Sequence, residues 1–234
     1  MQLDITFIWT ALKSILPALP MTFLIAIVPL LLGTIIGIAV AFVRMSQWKI
    51  IKAILNFYVS FYRGTPVVLH IFLIYFGMPI IAEEWFNISL NGWPIVIFVI
   101  IALTLNAGAF LSEIIRSGIL SVSVQQIEAA ISLGMTTTQV YRRIILPQAF
   151  VVIIPNLTNI FIAFLHASSI AFLVSVQEIT GAANILASSN LKYLESFIAA
   201  GIIYWAVTIV IEVIANQLER KLTAHLRQGV VQPI

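Results

Sequence analysis

The sequence predicts an all-α transmembrane protein of about five spanning helices, with its N-terminus outside and its C-terminus in the cytoplasm. Three observations carry that reading: the composition, the charge-free runs and the placement of Lys and Arg. Of 234 residues, 61% are hydrophobic and 9% charged, with a mean hydropathy of +1.09. A soluble domain is about half apolar and about a quarter charged, so this excess places the chain in the membrane class. The sequence contains no cysteine, which excludes disulfides, thiolate metal sites and a catalytic thiol. The formal charge of +3 rests on few residues and implies no nucleic-acid partner.

The elements follow in chain order. Leu3, Phe7 and Trp9 with Asp4 and Lys13 fit either a short interfacial helix or a frayed terminus. No basic leader or small-residue cleavage site precedes the next apolar run, so the start does not read as a cleavable signal. Charge-free runs then lie between Lys13 and Arg44, Arg63 and Glu83, Glu84 and Glu113, Arg143 and Glu178, and Glu195 and Glu212. A spanning helix needs ~20 predominantly apolar residues. These runs give spans at 18–43, 55–79, 94–117, 152–176 and 195–215, in one transmembrane domain covering 1–234, with a loop at 121–148. Gly33 and Gly37, four apart in the first span, suit close helix packing.

Orientation follows from the basic residues. One side holds Arg44, Lys49, Lys52, Arg116, Arg142, Arg143, Arg220, Lys221 and Arg227; the other holds only Lys13 and Lys192. The first side is therefore read as cytoplasmic, and the 121–148 loop with it. Within this loop, Ser123-x-x-Gln126 and Thr136-x-x-Gln139 both match a capping box. Gly134 stands where a left-handed residue ends the first short helix. Pro147 disfavours continuing the second through Leu146. Ala129 and Ala130 present little side chain, so another surface could approach them closely, and Glu128 could cap a helix or pair with a basic partner.

Polar groups within the spans are expensive and point to function. Asn106 falls near the middle of the third span. The fourth run has 34 residues; at 1.5 Å per residue that is ~51 Å, against a hydrocarbon core of ~30 Å. Its first part must lie at the interface, which brings His166, Ser168 and Ser169 to mid-depth, with Ala167-Ser168-Ser169 a weak point in the helix. Asn106, His166, Ser168 and Ser169 are the candidate pathway residues, weighed against simple interhelical hydrogen bonding. Arg63 is expected to snorkel or to pair within the bundle. Gly64 and Pro66 permit a kink beside it, and Glu113 and Arg116 form a helical pair. His70 is read as a packed interface residue. The Asn-x-Ser/Thr triplets at Asn87 and Asn156 are read as accidental.

The loop carries a pattern, Glu128-Ala129-Ala130-x3-Gly134-x9-Ile144-x-Leu146-Pro147, that resembles the signature loop of ABC-importer permeases. Its flanks, Phe61-Tyr62-Arg63-Gly64-Thr65-Pro66, Leu105-Asn106-Ala107-Gly108 and Arg142-Arg143-Ile144-Ile145-Leu146-Pro147-Gln148-Ala149, are similar to the polar amino-acid subfamily. The resemblance implies the type I importer permease fold in a bacterial plasma (inner) membrane, with a short coupling helix that docks on a cytosolic ATPase through Glu128, Ala129, Ala130, Gly134, Leu146 and Pro147. It implies an ATPase dimer that binds ATP and Mg, a second permease subunit, and an extracytoplasmic binding protein that delivers an amino acid. Many amino-acid members carry Lys-Asp-Thr-Ser where this chain has His166-Ala167-Ser168-Ser169; the missing acid points to a neutral or zwitterionic cargo. Ala187-Ser188-Ser189-Asn190 resembles permeases of the cystine type.

The chain has no Gly-x4-Gly-Lys-Ser/Thr, no His-Glu-x-x-His and no Gly-x-Ser-x-Gly. It is read as a non-catalytic permease subunit that needs no cofactor of its own. The alternative reading is a passive channel or a proton-coupled carrier using Glu113 or Glu212.

Overall fold

Asp4 starts the first helix. Its carboxylate accepts the Phe7 N–H at 3.1 Å, capping α1 (Ile5–Ile15). A single 3₁₀ turn, Leu16–Ala18, joins α1 to α2 (Leu19–Met45). The computed structural model describes residues 3–227, with side chains described up to 221, so the Arg227 side chain of the orientation reading lies outside the described residues. α1 is helical rather than frayed, and it buries Ala11 and Ile15.

α3 (Lys49–Gly64) ends at Thr65 and Pro66, and the chain resumes as α4 (Val67–Phe72), a π turn at Leu73–Gly77 and α5 (Met78–Phe86). The expected span at 55–79 is therefore two pieces, and the part long and apolar enough to cross a membrane is Val67–Phe86. Pro66 has no N–H to donate and pushes Thr65 to extended backbone, φ −122° and ψ 151°. Thr65 Oγ1 donates to the Phe61 carbonyl at 2.6 Å, so the broken end is partly satisfied by its own side chain.

α6 (Ile95–Leu120) is the central helix. A Cβ built on Gly33 would stand 2.5 Å from Ala107 Cβ, and one on Gly37 would stand 2.9 Å from Leu111 Cβ. The two glycines are thus what lets α2 lie against α6. Tyr58 donates to the Leu105 carbonyl at 2.5 Å, and Val59 and Ala109 share a small core, which seats α3 on the same helix. The main core gathers Ile25, Ile71, Leu103, Leu111, Phe164 and Ala171 around α6.

After α7 (Val124–Ser132) and α8 (Thr137–Val140), a π turn at Tyr141–Ile145 leads directly into α9 (Leu146–Ala167). Pro147 does not stop this helix. It sits in the first turn of α9, where no N–H is needed. The expected span at 152–176 belongs to a longer helical run, Thr137–Val174. That run changes from α to 3₁₀ at Ser168, where a weak point was expected. Ser175 takes a left-handed conformation, φ 65°, and the chain turns into α10 (Ile179–Asn190) and then α11 (Tyr193–Arg227). Among the described residues, five helical runs are long and apolar enough to cross a membrane.

Candidate coupling and translocation sites

The 121–148 loop folds as a capped helical hairpin. α7 ends in paired hydrogen bonds, Gly134 N–H to the Ile131 carbonyl at 2.9 Å and Met135 N–H to the Ala130 carbonyl at 3.1 Å. Gly134 has φ +84°, and a Cβ there would meet nothing within 4 Å. This is the Schellman arrangement, and it needs the left-handed residue. The Thr136 capping box is present: Gln139 N–H donates to Thr136 Oγ1, and Thr136 N–H donates to the Gln139 side chain. The box expected at Ser123 is absent, because its hydroxyl donates to Gln125 instead of capping α7.

The hairpin separates the candidate coupling residues. Glu128 and Ala129 are exposed, whereas Ala130 is buried against Ile119, Val140, Ile145 and Ala149. Ala130 is thus small to fit beneath the hairpin, and only Ala129 offers its backbone to an outside surface. Leu133, 85% exposed, projects from the hairpin tip beside Gly134. Leu146 and Pro147 lie half-buried at the junction with α9.

Glu113 organises the basic end of the bundle. Its two oxygens take Arg44 at 2.6 Å and Arg116 at 2.7 Å, and Arg63 stands at 3.9 Å. The pair expected with Arg116 exists, and Arg63 pairs within the bundle while lying over the Phe110 ring. Arg44 was not anticipated, because the carboxylate it meets is 69 residues away.

The kink after Gly64 carries a second polar group. His70 is buried, with Nε2 2.6 Å from Thr65 Oγ1 and Nδ1 3.0 Å from Asn106 Nδ2. Asn106 Nδ2 also donates to the Tyr62 carbonyl, an acceptor that the broken helix leaves free. Asn106 is therefore used in tying the halves of the kinked segment to α6.

His166 and Ser169 belong elsewhere. They line a cavity of about 250 Å³ with Thr180, Phe197, Gly201 and Tyr204. His166 Nε2 is 3.0 Å from Thr208 Oγ1, and its ring meets Tyr204 edge-on. Ser168 is buried next to Tyr204 and donates to the Leu165 carbonyl, and neither it nor Asn106 is among the residues lining this cavity. Behind Tyr204 lies Glu178, the residue that bounds the fourth charge-free run. It is buried and caps α10, accepting N–H bonds from Thr180 and Gly181 and the Tyr204 hydroxyl at 2.7 Å. Burial pushes its carboxyl up, and these donors oppose the shift.

Residues 33–224 match the family described as the binding-protein-dependent transport system inner membrane component. The chain belongs to that family. The probable amino-acid permease protein YxeN of Bacillus subtilis is 36% identical over 96% of this chain and 98% of its own. The L-cystine transport system permease protein TcyB of the same organism is 36% identical over 86% of this chain and 83% of its own. A crystal structure of an amino acid ABC transporter with histidines superposes with a TM-score of 0.84 at 32% identity, covering 94% of this chain and all of that one. The protein is an amino-acid ABC transporter permease subunit, a multi-pass protein of the bacterial inner membrane.

The permease residues that sequence reasoning passed over share one property. Arg44, Thr180, Glu178 and Tyr204 each meet a partner distant along the chain. Glu178 alone carried a local signal, an acid just before a helical run, as an N-cap requires.

Proposed function

We propose that this permease forms the translocation pathway with a second permease subunit, identical or related, and docks a cytosolic ATPase dimer on the α7–α8 hairpin. The hairpin itself carries the reading. It is held rigid at both caps and presents Glu128, Ala129 and the exposed Leu133 away from the bundle. The orientation that goes with it puts the N-terminus outside and the C-terminus in the cytosol. It is supported by Arg44, Lys52 and Arg116, which gather around one cavity beside α7. ATP and Mg belong to the partner ATPase, and an extracytoplasmic binding protein delivers the cargo. Nucleotide binding to one arrangement of the ATPase pair biases the permease between outward and inward states.

The cargo proposed is a polar or neutral amino acid, with cystine first. The lining beside His166 and Ser169 carries hydroxyls, an imidazole and small residues but no carboxylate, which suits a zwitterion. Whole-chain similarity does not choose between cargoes: the arginine transport system permease ArtQ is 33% identical, close to TcyB. The test is uptake into proteoliposomes holding permease, ATPase and binding protein, with cystine, arginine and neutral amino acids in competition. His166→Ala should raise the KM for uptake and leave basal ATP hydrolysis intact. Unchanged uptake kinetics would remove His166 from the pathway, and preferred uptake of arginine would overturn the cargo assignment.

A further inference from the structure

We infer that a cavity at the basic end of the bundle binds the anionic headgroup of a phospholipid, its phosphate held by Arg44, Lys52 and Arg116. The cavity measures about 500 Å³ and lies between the ends of α2 and α6, the first turns of α3, and α7. Arg44 is fixed by Asn56 Oδ1 at 2.7 Å and by Glu113 at 2.6 Å. Arg116 is fixed by Glu113 through Nε at 3.1 Å and one terminal nitrogen at 2.7 Å. Each guanidinium keeps its second terminal nitrogen outside these bonds. Glu113 balances one positive charge of the three that line the cavity. The remaining excess suits a phosphodiester, whose oxygens accept charge-assisted N–H bonds.

The rest of the wall selects a lipid over a free anion. Ile119, Val122 and Ile127 add an apolar part to the lining, as the glycerol and first acyl carbons of a phospholipid require. α3 enters with Trp48-Lys49-Ile50-Ile51-Lys52, in which Trp48 and Ile50 are exposed. An exposed aromatic and aliphatic set among lysines is the pattern of a segment at the headgroup level. Basic pockets between spanning helices on the cytoplasmic side take anionic headgroups. Val124 and Ile127 of α7 contribute to the same cavity, so a bound headgroup sits directly beneath the hairpin.

Native mass spectrometry of the purified full chain in neutral detergent tests this with dioleoyl-phosphatidylglycerol and dioleoyl-phosphatidylcholine. Phosphatidylglycerol should be retained preferentially. Lys52→Gln should weaken it about fivefold, the worth of one basic residue near a lipid surface. Lys52→Arg should restore it, and Lys49→Gln, which removes the same charge from outside the cavity, should leave it unchanged. Equal retention of the two lipids, or an unaffected Lys52→Gln chain, would overturn the assignment. So would equal losses from Lys49→Gln and Lys52→Gln, which would mean diffuse attraction. Displacement of the lipid by inorganic phosphate would make this a free-anion site. Displacement by added ATPase subunit would make it a protein contact.

Discussion

Replacing Gly134 by Val changes one backbone conformation and nothing else in the hairpin. The added Cβ meets no atom within 4 Å, so no clash contributes. Two responses are open to the chain. It can keep φ near +84°, which costs a β-branched residue about 1–3 kcal/mol. Or it can leave the left-handed region and lose the bonds from Gly134 N–H and Met135 N–H, each with a net worth of about 0.5–1.5 kcal/mol. Both routes give a penalty of about 1–3 kcal/mol, so the ratio of formed to unformed hairpin falls about fivefold to about 150-fold. The penalty is local, because the hairpin lies outside the core clustered around α6. Membrane insertion and the thermal midpoint of the permease in detergent should therefore hold. Substrate-stimulated ATP hydrolysis and uptake by the reconstituted transporter should collapse together. Gly134→Asn, which tolerates the left-handed region, should keep most of both. A Val variant with normal coupled uptake would refute the claim that the hairpin geometry transmits the ATPase motion.

Three other outcomes follow from the geometry. Glu113→Gln leaves Arg44, Arg116 and Arg63 facing one another. The site is partly exposed, so the expected loss is about 2 kcal/mol, between the values for exposed and buried pairs. Thermal unfolding in detergent measures it, and an unchanged midpoint would show the cluster to be energetically idle. Gly33→Ala forces a Cβ to within 2.5 Å of Ala107 Cβ and should cost about 1–3 kcal/mol; Ala107→Gly should restore part of it, and the same unfolding assay would expose a failure to rescue. Asp4 is held below the usual carboxylate range, first by the hydrogen bond from Lys192, then by Thr6 and the Phe7 N–H. Its stabilising contribution is thus present above the ordinary Asp pKa of about 3.9 and is lost as pH falls from there toward the depressed value. Amide exchange in α1 should stay slow down to about pH 4 and quicken below it, whereas an onset near neutrality would implicate another group.

Elements with a strong local cause were legible in the sequence. The apolar runs marked the crossing helices because hydrocarbon tolerates little else at that length. Gly134 and the Thr136 box were legible because caps are formed by residues a few positions apart. Ser123 misled for the same reason: the capping pattern requires a hydroxyl aimed at the backbone, and here a nearer side chain takes it. Pro147 misled because a proline that ends a helix and a proline that fits its first turn look alike in sequence, and the π turn before it decides which it is. Ala130 misled because a small residue serves equally for approach from outside and for fitting underneath.

By itself the sequence determined the membrane class and the helical hairpin within the basic loop. Each follows from local composition or from spacing along one helix. Only the tertiary structure decided what the polar residues do. Asn106 is turned to His70 and the break after Gly64, Ser168 is buried against the Leu165 carbonyl and Tyr204, and His166 and Ser169 line a cavity with Tyr204, behind which lies Glu178. Neighbours on a helix only 100° apart per residue face different partners, and which partner each meets is set by helices packed from distant parts of the chain. The basic cavity beside α7 has the same origin: Arg44, Lys52 and Arg116 come from three helices, and only their packing makes one site of them.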